Sequence, residues 1–125
     1  MINWSVVGAI LLALAVLIGA FGAHALRDRL DDYATGIYER AVFYHFIHAL
    51  GLLAVGISSA AHVASGSTAT LAGWLLLAGM IVFCGSLYAL ALSGNRKLGA
   101  ITPLGGLAFV AGWIAFAVAL NGAHA

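Results

Sequence analysis

The sequence predicts an all-α integral membrane protein: a four-helix transmembrane bundle with a short interfacial helix after the first span. Three observations carry this. Hydrophobic residues make up 64% of the chain and charged residues only 7%, against roughly a quarter charged in a soluble domain, so the solvent for most of the surface is lipid. The five basic and four acidic side chains all fall within residues 27–40 and 96–97. Four charge-free apolar runs fill most of the remainder, at about 4–23, 41–61, 71–92 and 103–120. A charge at the bilayer centre costs at least ~2.5–3.5 kcal/mol. A helix rising ~1.5 Å per residue needs about 20 residues to cross a ~30 Å hydrocarbon core. Residues 1–125 therefore form a single membrane domain.

The first span ends at "GAFGAHALRDRLDD". Beyond it Leu26, Leu30, Tyr33, Ile37 and Ala41 recur at spacings of four, three, four and four, which is one face of a helix. This predicts a short amphipathic helix at the membrane surface, with Gly36 marking a break before the second span. Its acids offset its arginines, so strong attraction to anionic lipid is not expected. After the second span "HVASGST" reads as a tight turn. After the third, Gly94 is placed to end the helix, and Thr102 followed by Pro103 reads as an N-cap and a first helical proline opening the fourth.

An even number of spans puts both termini on one side. All five basic residues fall in the first and third connections, and basic residues favour the cytoplasm. Residues 24–40 and 94–101 are therefore expected to be cytoplasmic and both termini outside. "AHA" at 23–25 resembles a signal-peptidase site, but no basic segment precedes the apolar run and one follows it, which favours an uncleaved span. Cys84 is the only cysteine, so no intrachain disulfide is available, and its apolar surroundings make it a small hydrophobe.

Lipid is as apolar as leucine, so close backbone approach rather than hydrophobicity joins helices in a bilayer. Small residues at helical spacing are the expected contact surfaces. These are Ala15, Gly19, Gly22 and Ala23 in the first span, and Gly85 and Ala89, continued by Ser93, in the third. In the fourth they are Ala108 and Gly112 beside Ala111, Ala115 and Ala119.

The polar residues of the spans carry any chemistry. His24, Tyr44, His45, His48, Ser86 and Tyr88 all belong to the cytoplasmic half and form a candidate polar node, whereas His62 and His124 belong to the outer face. Tyr44 and His48 share one helix face, as do His45 and His48. Three readings apply: a hydrogen-bonded node that fixes helix register, a proton- or ligand-binding pocket, or a metal site. Carboxylates are absent from the spans and only one thiol is present, so no metal and no cofactor is expected. No nucleophile motif, phosphate loop or basic stripe is found, which argues against an enzyme and against nucleic acid as a partner.

Three segments together, "GAFGAHAL", "AVFYHFIHALGLL" and "GSLYALALSG" followed by "LGAITPLGGLAFVAGW", resemble the YgdD-like family of small four-span membrane proteins of unknown function. That family occurs in bacterial inner membranes and has mitochondrial relatives. The resemblance covers nearly the whole chain. It points to Gly19, Gly22, His24, Tyr44, His48, Ser86, Tyr88, Gly99, Thr102, Pro103 and Gly105. The family pattern more often has glutamine where this chain has His45, which counts against a metal site that needs that imidazole. It implies no activity.

The functional expectation is a small non-enzymatic multi-pass protein. It would be a structural or accessory component of a membrane complex, respiratory by analogy with the mitochondrial kinship, and its partners would be the lipid bilayer and either copies of itself or a larger membrane-protein complex. The alternative is a small transporter or carrier whose histidine and tyrosine node handles a proton or small ligand.

Overall fold

Asn3 opens the first helix. Its Oδ1 accepts hydrogen bonds from the amides of Ser5 and Val6, which have no carbonyl partner at a helix start. Helix α1 then runs Trp4–His24. This computed structural model describes residues 2–122, so His124 lies outside the described residues.

The chain turns through residues 25–31 without forming the separate surface helix expected there. Asp31 is the physical reason. Its carboxylate accepts from the Ala34 amide at 2.8 Å and caps α2, which starts at once and runs Asp32–Ala60. Gly36 lies inside this helix and does not break it. The residues of the expected amphipathic face are put to another use: Ile37 and Ala41 are buried, and Leu26 and Leu30 fold back against them. At ~1.5 Å per residue, the 29 residues of α2 reach ~43 Å, longer than a ~30 Å hydrocarbon core. The charge-bearing turns at 32–40 therefore project into the headgroup region.

Gly66, with φ +89°, leads into α3, which spans Ser67–Ser93. The five residues Met80–Cys84 form a π turn inside it. Gly94 ends α3 with φ +73°, its amide donating to the Leu90 carbonyl at 2.8 Å. A short 3-10 turn, Arg96–Ala100, follows. The Arg96 guanidinium lies over the Tyr33 ring, 4.2 Å from its centroid, joining the two charge-bearing connections at one end of the bundle. Helix α4 covers Thr102–Gly122. All four helices are long and apolar enough to cross a membrane.

Helix α1 packs chiefly on α2, and α3 chiefly on α4, while α2 joins the two pairs. Glycine makes both close pairings possible, at some positions of the small-residue stripes, Gly22 and Gly112, and at others outside them. A Cβ on Gly8 would stand 2.5 Å from the Leu53 nitrogen, and one on Gly56 would collide with the Ser5 backbone. Those two glycines, with buried Ala15, set the α1–α2 approach. Gly22 is filled by the Tyr38 ring. Gly19 is looser, a Cβ there reaching only Val42 Cγ1 at 3.4 Å, and Ala23 is exposed. On the other side a Cβ on Gly105 would strike the Phe83 backbone, and one on Gly112 would stand 2.9 Å from Leu76 Cδ2, with Ala108 half-buried nearby. Gly85 and Ala89 do not pack inside the chain. Both are exposed, and nothing lies within 4 Å of a Cβ built on Gly85. The stripe they begin lies on the face opposite buried Leu76, Leu87 and Leu90 and points outward.

Candidate functional site

The polar residues of the spans form three separate contacts instead of one node. The first joins α2 to α3. His45, 5% exposed, lies 2.9 Å through Nδ1 from the Tyr88 hydroxyl. In apolar surroundings that hydroxyl is best satisfied by donating to Nδ1, which leaves the imidazole proton on Nε2. Nε2 is buried without a hydrogen-bond partner among the described residues. The Tyr38 ring meets Tyr88 edge-on, with centroids 5.5 Å apart, and its own hydroxyl donates to the Ile18 carbonyl of α1. Tyr38 thus ties the first pair of helices at the place where His45 reaches the second. Sequence reasoning missed it, although it stands seven residues before His45 and so on the same helix face.

The second contact joins α2 to α4. His48 Nδ1 donates to the Tyr44 carbonyl one turn earlier, at 2.7 Å. This fixes the ring, which stacks on Phe109 with centroids 3.5 Å apart and planes 13° apart. Tyr44 lies parallel to it at 5.8 Å, and Trp113 closes a third side at 5.8 Å. His48 is therefore an aromatic packing element with one committed hydrogen bond.

The third contact joins α3 to α4. Ser86 Oγ donates to the Phe83 carbonyl at 3.0 Å, a carbonyl within the π turn. With that proton committed, Thr102 Oγ1 is the donor in its bond to Ser86 Oγ. Thr102 was expected as a helix cap. Its side chain instead reaches across to α3, while Pro103 sits in the first turn of α4. His24 is exposed at the end of α1 and joins none of these contacts. Among the described residues no group of three or more His, Cys, Asp or Glu side chains is gathered as a metal site would need. Cys84 is a buried free thiol.

A family model described as "Protein of unknown function (DUF423)" matches residues 18–106. The chain belongs to the DUF423 family. It is similar to a UPF0382 membrane protein of Staphylococcus epidermidis, at 46% identity over 114 residues covering 91% of each chain. It is similar also to the UPF0382 membrane protein YwdK of Bacillus subtilis, at 46% identity covering 91% of this chain and 92% of the relative. A third relative, the UPF0382 membrane protein SH2409 of Staphylococcus haemolyticus, is 47% identical over 112 residues. No solved structure matches. This DUF423 chain, like those relatives, is a membrane protein, and the matched segment holds Tyr38, His45, His48, Ser86, Tyr88 and Thr102. Phe109 and Trp113, which enclose His48, lie beyond it.

The Ser86–Thr102 bond gives a direct test of the DUF423 segment. Ser86→Ala should destabilise the detergent-solubilised protein by about 0.6–1.7 kcal/mol, the range of interhelical bonds in membranes. Thr102→Val should cost a similar amount, and the double variant little more than either. Additive losses in chemical unfolding would show that the two hydroxyls act separately.

Proposed function

We propose that this protein is a non-enzymatic structural or accessory component of a bacterial inner membrane, working by association with copies of itself or with a larger membrane complex. One observation carries the reading. Gly85, Ala89 and Ser93 form a small-residue stripe along the last two turns of α3, and all three are exposed. Such stripes let the backbone of a second helix come close, and no helix of this chain uses this one. The polar residues support the same reading, since His45 bonds Tyr88, Ser86 bonds Thr102 and His48 stacks on Phe109, each joining one helix to another. The placement of all five basic residues at 27–40 and 96–97 supports a cytoplasmic location of those connections and an outside location of both termini. A respiratory setting rests on analogy alone.

The test is native mass spectrometry from lipid-preserving particles, on the native protein and on Gly85→Leu. The native protein should appear as an oligomer or with a protein partner. Gly85→Leu, whose side chain enters open space, should shift the spectrum toward the lone chain without lowering the melting temperature. A native protein that is monomeric and free of partners would overturn the reading.

A further inference from the structure

A pocket of about 320 Å³ opens where α1 ends and α2 begins. Its floor is apolar, left open because Gly19 lacks a side chain, with Val42 lining it as well. Its rim carries Arg27 from the connection and Thr35 and Glu39 from the first turns of α2. Arg27 and Glu39 bear opposite charges on one pocket, yet no ion pair within 4.0 Å joins acidic to basic side chains among the described residues. The pocket's depth is set by chemistry. α1 ends at His24, and residues 41–60 of α2 are free of charge, so the rim sits at headgroup level and the floor leads into hydrocarbon.

We propose that this pocket binds a zwitterionic phospholipid with a primary amine, the chemistry of phosphatidylethanolamine. Each part of such a lipid has a counterpart. The phosphate meets the Arg27 guanidinium, whose planar donor fork matches phosphate oxygens. The ammonium donates to the Glu39 carboxylate. The upper acyl chain lies over Gly19 and against Val42. A choline headgroup carries the positive charge but has no N–H to give Glu39. A glycerol headgroup has no cation for it, and its net negative charge faces the carboxylate. The two rim charges therefore select a headgroup that bridges them.

The experiment is native mass spectrometry of lipid adducts after exchange into mixed micelles holding equal amounts of phosphatidylethanolamine, phosphatidylcholine and phosphatidylglycerol. Phosphatidylethanolamine should be retained about threefold over the other two, as expected for one partly exposed ion pair. Glu39→Gln should erase that preference, and Arg27→Gln should lower retention of all three lipids. Gly19→Leu, which fills the floor, should also lower retention of all three. Both charge variants alter exposed side chains, so they leave the fold intact. Equal retention of the three lipids by the native protein, or a preference that survives Glu39→Gln, would overturn the assignment. So would displacement of the lipid by free glycerophosphoethanolamine, which would make the ligand a soluble one.

Discussion

Gly56→Ala is expected to destabilise the protein by about 3 kcal/mol, the upper part of the range for forcing an extra carbon into a packed interior. The new Cβ would collide with the backbone nitrogen and Cα of Ser5. Backbone cannot rotate aside as a side chain can, so α1 and α2 must separate along their outer turns and lose contacts on both sides. Two controls isolate the cause. Gly19→Ala meets only the end of Val42 at 3.4 Å and should change stability by less than about 0.5 kcal/mol. Gly36→Ala meets nothing within 4 Å and sits inside α2, where alanine should stabilise by roughly 0.5–1 kcal/mol through backbone entropy. Unfolding in a denaturing detergent would rank the three. A Gly56→Ala loss no greater than that of Gly19→Ala would show that the α1–α2 crossing is wider than described here.

His48→Ala is the second large effect, at about 3 kcal/mol, the low end of the cost of emptying a buried aromatic site. The loss comes from packing. The ring fills the space between Tyr44, Phe109 and Trp113, and its truncation leaves a void where α2 meets α4. His48→Phe keeps a ring against Phe109 and gives up only the bond to the Tyr44 carbonyl, so it should cost less than about 1.5 kcal/mol. If the two variants proved equally damaging, the hydrogen bond would outweigh the stack and His48 would be a polar residue in function as well as in name.

Much of the fold was legible because it follows from composition. Charge excluded from four runs of sufficient length defines four helices whatever their partners. The site was less legible because facing directions are not written into a helix that is apolar all round. On α1 the stripe of Ala15, Gly19 and Ala23 looked like the contact, and Ala15 is buried there, but the tightest approaches are Gly8 against Leu53 and Gly56 against Ser5, which only the tertiary arrangement reveals. The start of α2 was missed for a local reason: Asp31 read as one of a run of charges, and its capping of Ala34 overrode the break expected at Gly36. The outward stripe was misread for a simpler reason: Gly85 and Ala89 lie on the face of α3 opposite buried Leu76, Leu87 and Leu90, and small residues alone do not say whether a face meets this chain or another. His45 and His48 were found together but serve different helices, being three residues apart on a surface that two neighbours share.

The pairing of helices also sets an order in time. The strongest contacts are between sequence neighbours, α1 with α2 and α3 with α4, and both pairs are closed by glycines within themselves. Each hairpin can finish those contacts as soon as its second helix leaves the ribosome, because little chain separates the partners and loop closure costs little entropy. The α2–α3 contacts, His45 to Tyr88 among them, also join sequence neighbours, whereas His48 against Phe109 and Trp113 must await α4. The His48 stack therefore belongs to the last step of assembly, when α4 closes against helices already in place.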